Sequence, residues 1–306
     1  MIALASIAAL VSILSILGFL GSWWWIFDLL SSFRHQYAVT LLLLGLACLL
    51  GRWRKTGAAV TAVGLLNLAV VVPLFIPEEL SASGERISVL SFNVSASNES
   101  YGEVIDYIRE TEPDFVFLHE ATRFWRSALE DAGLGYRIVE GRSEDMIFST
   151  LVMAPDHTEI RSHGFSEEAP RSIEVTYRSD TGVEIAILGI HPVSPDTERR
   201  ASLRDAQLAL ASSWGRERTS RAVIVGDFNA SPWSAAFRKL LSETGFESSQ
   251  NGFGIQASFP ADRTPLIRVP IDHLIHSRGL STVDRVLGPR LSSDHFPLLV
   301  VLAVTE

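Results

Sequence analysis

Three long apolar runs crowd the first 80 residues, and they constrain this chain more than any other feature, because runs of that length must be buried in lipid or in a core. Residues 2–20 are almost uninterrupted apolar sequence and lead into Trp23, Trp24 and Trp25. Residues 37–50 form a second run, and residues 58–76 a third that Pro77 and two glutamates close. A soluble helical bundle would carry polar faces, and these runs show almost none. A cleaved signal peptide would account only for the first run, which lacks a basic n-region. The expectation is a membrane anchor over residues 1–80 made of three transmembrane helices, with the tryptophans at an interface. Arg52, Arg54 and Lys55 lie in the second connection, against Arg34 in the first. The positive-inside rule then predicts a multi-pass protein of the cell inner membrane, with its carboxyl-terminal domain extracytoplasmic, in the periplasm of a Gram-negative cell.

Charge is distributed as unevenly as hydropathy. Beyond residue 80 the chain holds 22 of the 26 Lys and Arg and 32 of the 35 Asp and Glu, a net charge of −10. Such an acidic bulk lacks the positive footprint of non-specific nucleic-acid binding, so nucleic acid is the less expected partner and the lipid bilayer the more expected one. A small anionic substrate held through a metal stays open. Cys48 is the only cysteine, which excludes an intramolecular disulfide and a thiolate zinc site.

Residues 81–86 read as a polar linker and residues 87–306 as one domain. Strand-like runs fall at 87–93, 115–118, 136–139, 146–153, 172–177, 183–190, 221–225, 268–275, 283–287 and 296–304. Helical patterns fall at 102–109, 122–132, 198–214 and 233–242, the last with Ser231 as its N-cap and Pro232 at its first position. Many strands with few helices suggest two packed sheets flanked by helices. No Gly-rich fingerprint follows the first strand, which argues against a dinucleotide-binding sheet.

Six polar clusters stand beside apolar runs: Asn93 in Ser-Phe-Asn-Val, Glu120 after Phe115-Val116-Phe117-Leu118-His119, His191 after Ile190, Asp227 and Asn229 in Gly-Asp-Phe-Asn, Asp272 in Ile-Asp-His, and Asp294 with His295 in Ser-Asp-His. Each alone reads equally well as a turn or a surface charge. Together they make chemical sense. Asn93, Glu120 and Asp294 offer hard oxygen ligands for Mg²⁺, with Mn²⁺ as a substitute. Asp227 can orient or deprotonate a water, and Asn229 can hold a phosphate oxygen. His191 and His295 can donate to non-bridging oxygens, with Asp272 fixing the tautomer of His295. Zinc fits less well, for want of cysteine or tightly spaced histidine ligands.

In these motifs and their order, the region from about Ile87 to Val304 resembles the endonuclease/exonuclease/phosphatase family of deoxyribonuclease I-like metal-dependent phosphoesterases. The resemblance implies a four-layer α/β/β/α sandwich, here preceded by three transmembrane helices, with the site at one end of the two sheets. It implies metal at Glu120, supported by Asn93 and Asp294, water and phosphate handled by Asp227 and Asn229, and transition-state stabilisation by His191 and His295 with Asp272 behind. Arg204 and Gln207 match a recurrent supporting pattern. Two departures stand out: His119 sits where the family commonly has glutamine, and Ser95 where abasic-site endonucleases have a metal-supporting aspartate. Arg142 is a candidate phosphate contact. The loops at 140–145, 192–199 and 251–268, with Trp233 and Phe259, are expected to shape the pocket.

The leading expectation is a membrane-anchored Mg²⁺-dependent phosphoesterase hydrolysing a phosphate mono- or diester, lipid-linked esters among the candidates. Two alternatives stay open: an extracytoplasmic metal-dependent nuclease, and a non-catalytic membrane-anchored binding module.

Overall fold

The computed structural model describes residues 2–77, 84–141, 148–164, 171–218 and 220–305. Part of the expected linker (residues 81–83) and the turn containing Arg142 lie outside the described residues.

Four helices come first: α1 (Ile2–Gly18), α2 (Trp25–Ser31), α3 (Arg34–Leu50) and α4 (Arg54–Val71), the last running on into a 3₁₀ turn at Val72–Phe75. They do not amount to three transmembrane helices. Among the described residues one helix, Arg54–Phe75, is long and apolar enough to cross a membrane. Helices α2 and α3 would supply a second only as one span bent by 68°, and the apolar helix Ala3–Gly18 is shorter. The inner-membrane, multi-pass and periplasmic expectations rested on three spans and fall with them. The first apolar run had continued past the helix end at Gly18, and the second falls within α3, which is only 17 residues long. The helices also hold polar groups that pair with one another. Buried Arg34 donates from Nη1 to Ser15 O at 3.0 Å and to Asn67 Oδ1 at 3.1 Å, and Asn67 Nδ2 donates to Ser15 Oγ at 2.6 Å.

The sandwich follows as β1 (Arg86–Asn93), α5 (Tyr101–Thr111), β2 (Phe115–Thr122), α6 (Arg123–Ala132), β3 (Arg137–Gly141), β4 (Phe148–Ala154), β5 (Glu159–His163), β6 (Ser172–Arg178), β7 (Glu184–Ile190), α7 (Glu198–Arg216), β8 (Ala222–Asp227), α8 (Ala235–Thr244), β9 (Glu247–Ser248), β10 (Asp272–His276), β11 (Leu280–Leu287) and β12 (Leu298–Val304). One six-stranded sheet has the order β11-β12-β1-β2-β4-β3 and the other β5-β6-β7-β8-β10-β9. The β1–β2 and β7–β8 pairs are parallel and the other named pairs antiparallel, so both sheets are mixed.

The alternation within each strand explains the layering. In β1, Ile87 and Val89 face the core between the sheets, while Leu90 and Phe92 face α5 and α6. In β8, Val223 and Val225 point inward, and Ala222 and Ile224 pack with α7 and α8. Both faces of each central strand are therefore covered, which is why these strands read as continuous apolar runs. Helix α5 buries Val104, Ile105 and Ile108, one stripe at helical spacing. The expected four-layer α/β/β/α sandwich is what forms.

Helix α8 begins at Ala235, not Trp233, and its cap is not Ser231. Residues 231–234 make a turn closed by Ser234 N–H donating to Ser231 O at 3.0 Å. The cap comes from another part of the chain: Asp28 Oδ1 accepts from Ala235 N at 2.6 Å. A carboxylate at the helix N-terminus satisfies an orphan amide and the helix dipole together.

Candidate active site

The ends of the parallel strands converge, and the register shows how. Asn93 pairs with His119 across β1–β2, Ile190 with Gly226 across β7–β8, and Asp227 with Asp272 across β8–β10. The polar residue that follows each apolar run is thereby delivered to one end of the two sheets. A register shift in β2 between Leu118 and Ala121 marks a bulge, and there Glu120 takes φ +57°. A bulge re-aims a side chain, and here it turns the Glu120 carboxylate toward the other strand ends. Ser95, Asn229 and Ser292 also have positive φ, at 63°, 48° and 58°, so left-handed backbone gathers around the same rim.

Asn93 Nδ2 donates to Glu120 Oε1 at 3.1 Å and to Asp227 Oδ2 at 3.2 Å, tying the two sheets' carboxylates together. His191 Nε2 stands 3.7 Å from both Glu120 Oε1 and Asp227 Oδ2. His295 Nε2 lies 3.6 Å from Asp227 Oδ2, while its Nδ1 meets Asp272 Oδ2 at 2.8 Å. Asn229 N donates to Asp227 Oδ1 at 2.9 Å, and its carboxamide donates to Pro192 O at 3.0 Å, next to His191. Seven of the eight expected site residues thus join one hydrogen-bonded or close-charge network. The eighth, Asp294, adjoins it in sequence, but its described contacts are to neighbours: Ser293 Oγ at 3.4 Å and, through its carbonyl, Ala261 N at 2.6 Å.

Three supporting residues carried too little sequence signal to be assigned. Ser293 Oγ donates to Asn93 O at 2.7 Å and accepts from His295 N at 3.1 Å, clamping the β12 approach to β1. Ser258 Oγ accepts from Asp272 N at 3.3 Å. Arg285 Nη2 donates to Asp272 O at 3.2 Å. Lone serines and an arginine in a strand have no pattern to distinguish them. Gln207 and Arg204 do support the site: Gln207 Oε1 accepts from Val193 N at 2.9 Å, and Arg204 Nη1 donates to Asn229 O at 3.0 Å. Phe259 stacks on His295 with ring centroids 4.7 Å apart, whereas Trp233 packs instead with Val71 and Leu74 of the amino-terminal helices.

Electrostatics divide the site. Burial opposes charge on His295, but Asp272 and Asp227 outweigh it and raise the imidazole to about 10, so it is an imidazolium at neutral pH. Burial pushes the Asp227 carboxyl up; His295 and His191 oppose the rise and Asp272 adds to it. Asp227, Asp272 and His295 offer ligand atoms within 4.8 Å of one another, a cluster able to hold a divalent cation once the imidazole has given up its proton. The donor set fits a hard cation: carboxylates and a carboxamide meet at Asn93, and the ion-pair partners of Glu120 and Asp227 are histidines rather than Lys or Arg.

Two neighbouring histidines behave oppositely to His295. Burial, with His191 nearby, holds His119 well below its usual value, and burial with Arg285 holds His273 down to about 3. Both stay neutral in the folded chain but take up protons below about pH 6.5 when unfolded. Their contribution to stability is therefore complete above that pH and declines as pH falls, for His273 toward 3 and by about 1.4 kcal/mol per pH unit. His119 lies 3.4 Å from Ser91 Oγ and 3.2 Å from Thr150 Oγ1, contacts that glutamine can keep. In EDTA, urea midpoints from pH 7.5 to 4 are expected to fall for the wild type and to fall less steeply for His119→Gln.

The chain matches the model of the Endonuclease/Exonuclease/phosphatase family over residues 90–295. No curated protein sequence matches it. Among solved structures, TDP2 from D. rerio, complexed with single-strand DNA product, is similar at 16% identity and a TM-score of 0.62, covering 72% of this chain and 100% of that one. An endonuclease/exonuclease/phosphatase from Bacteroides vulgatus is similar at 16% identity and 0.60, covering 72% and 99%. A mannosyl-6-phosphatase from Bacteroides thetaiotaomicron reaches 18% identity and 0.54, covering 71% and 99%. At these identities the likeness shows the fold. It also overturns the ranking of nucleic acid as the less expected partner, since a chain of this fold holds single-strand DNA. Net charge was the wrong guide, because it averages the whole surface, whereas a few side chains and a cation decide the field at a phosphate. The family match begins in the strand that ends at Asn93 and closes on His295, and by it the chain belongs to the Endonuclease/Exonuclease/phosphatase family, as a metal-dependent phosphoric ester hydrolase.

Proposed function

We propose that the chain is a Mg²⁺-dependent, nuclease-type phosphoesterase that cleaves a phosphoester of nucleic acid by in-line attack of water. The observation that carries this reading is the meeting of Asn93, Glu120 and Asp227 from both sheets beside the His295–Asp272 pair. Asp272 and His295 already satisfy one another at 2.8 Å, so this reading leaves them to hold a proton. It gives the cation to Glu120, with Asn93 and Asp294 in support. A divalent cation held there supplies Lewis-acid polarisation of a phosphoryl oxygen and offsets its charge.

The chain's own residues supply the rest. Asp227, whose carboxyl burial makes more basic, takes a proton from the attacking water. Asn229 sits beside Asp227 with its backbone fixed by that carboxylate, and holds a substrate oxygen. His295 donates as an imidazolium to a non-bridging oxygen as charge builds there, oriented by Asp272. His191 donates from the opposite sheet end. TDP2 with its single-strand DNA product and the human Nocturnin catalytic domain with a bound sulfate anion, both similar in fold, support a substrate that carries a phosphate-like oxyanion.

The test is a substrate panel for the full-length protein: single- and double-stranded DNA, RNA, mononucleotides, mannose 6-phosphate and p-nitrophenyl mono- and diesters. Turnover of a nucleic acid above the sugar phosphate supports the reading. Turnover confined to mannose 6-phosphate contradicts it and makes the chain a sugar phosphatase. EDTA is expected to abolish turnover and Mg²⁺ or Mn²⁺ to restore it. Glu120→Gln is expected to raise the Mg²⁺ concentration for half-maximal rate by at least about tenfold, read from a metal titration.

A further inference from the structure

We propose that Asp28, on the short helix α2 of the amino-terminal segment, is a positioning residue for the active site and acts through Arg204 on Asn229. The inference rests on the hydrolase reading, in which Asn229 touches substrate. Asp28 is 4% exposed and uses both of its oxygens. Oδ1 accepts from Ala235 N at 2.6 Å, capping α8. Oδ2 accepts from Ser234 Oγ at 2.9 Å and from Arg204 Nη2 at 2.8 Å. Arg204, 2% exposed, is pinned at three points: Nη2 on Asp28, Nε on Asp205 Oδ1 at 2.7 Å, and Nη1 on Asn229 O at 3.0 Å.

A guanidinium is a rigid fork, so two anchors determine where the third donor points. Asp205 adjoins Arg204 on α7 and is half exposed, so by itself it fixes neither the plane nor the reach of the fork. With Asp28 removed, the fork can turn toward Asp205 and leave the Asn229 carbonyl. That carbonyl belongs to a residue at φ +48°, a conformation that surrounding contacts must hold in place. Other amino-terminal contacts reach the same domain: Trp233 Nε1 donates to Val70 O at 2.9 Å, Gln36 Nε2 to Arg268 O at 2.8 Å, and Gly254 N to Leu74 O at 2.8 Å. The amino-terminal helices therefore serve the catalytic centre as a brace, and Asp28 is where the two meet through charge.

The experiment compares wild type, Asp28→Ala, Asp28→Asn, Asn229→Ala and the Asp28→Ala/Asn229→Ala double variant, all full length, on bis(p-nitrophenyl) phosphate in Mg²⁺. Displacing a substrate-holding group by a fraction of an ångström is expected to lower kcat of Asp28→Ala by about 10- to 100-fold with KM changed by less than about threefold. Asp28→Asn keeps an oxygen for the Ala235 amide and loses the charge, so its loss is expected to be smaller; it carries the comparison if the alanine variant does not fold. In the Asn229→Ala background the Asp28 change is expected to cost little more, because both act at one point. A folded Asp28 variant with wild-type kcat, or losses that multiply in the double variant, overturns the proposal and leaves Asp28 as a tether only. The Asn229 side-chain amide resonances, assigned by their loss in Asn229→Ala, report the same coupling without turnover. They are expected to shift in the Asp28 variants, and unmoved resonances overturn the inference. A wild type that turns over no phosphate ester sinks the hydrolase reading, while the resonances still decide whether Asp28 holds Asn229.

Discussion

His295→Ala is expected to lower kcat for phosphate ester hydrolysis by about a thousandfold while leaving metal binding largely intact. The variant removes the 2.8 Å partner of Asp272 Oδ2 and the cation that Asp227 faces at 3.6 Å. Asp272 and Asp227 are 1% exposed, so two carboxylates would be left buried beside each other without that charge. Breaking a buried pair in this way costs about 3–5 kcal/mol, so the variant should also unfold at lower denaturant. Asp272→Asn separates the two effects. It leaves His295 in place but removes the charge that keeps it an imidazolium at neutral pH, so the rate loss should grow with rising pH and shrink in acid. Rate–pH profiles of the wild type and both variants check this; a flat ratio between wild type and Asp272→Asn would show that the pair does not work by charge.

Gly226→Ala is expected to be strongly destabilising. A Cβ there would overlap Ile190 O, which belongs to the strand paired with β8, and Gly226 has φ +148°. The obstacle is backbone in a parallel pair, so no side-chain rotation relieves it. The chain must part β7 from β8 at the point that delivers His191 and Asp227. A loss above about 4 kcal/mol is expected, enough to consume much of an ordinary domain's stability. Soluble yield and urea midpoint check it, and a variant within about 1 kcal/mol of wild type would mean that the two strand ends are not held as described.

Where an apolar run ended in a polar residue, the site was legible in the sequence. Asn93, Glu120, His191 and Asp227 each follow a strand buried on both faces, and strand ends in two packed sheets have few places to go. The layers were legible for the same reason, because alternation within β1 and β8 commits each face to one core. The edge strands of one sheet, β3 and β11, were read as strands, but those of the other were not: β5 is largely exposed and polar, and β9 is two residues long, so neither carries an apolar signal. The start of α8 was misread because its cap lies 207 positions away at Asp28, and no local pattern of Ser231 and Pro232 can disclose that. The amino-terminal helices were misread through length: continuous hydropathy hides the end of α1 at Gly18, and α3, at 17 residues, makes a span only together with α2 across a 68° bend. Nucleic acid was ranked low from a net charge that averages over surface far from the site.

The measurement that tests the central claim most directly is the initial rate of bis(p-nitrophenyl) phosphate hydrolysis by the full-length protein in EDTA, then in excess Mg²⁺, beside His295→Ala. The expected result is no turnover in EDTA, turnover restored by Mg²⁺, and a rate about a thousandfold lower in the variant. Equal rates with and without metal, or equal rates for wild type and variant, would contradict a metal-dependent phosphoester hydrolase centred on these strand ends.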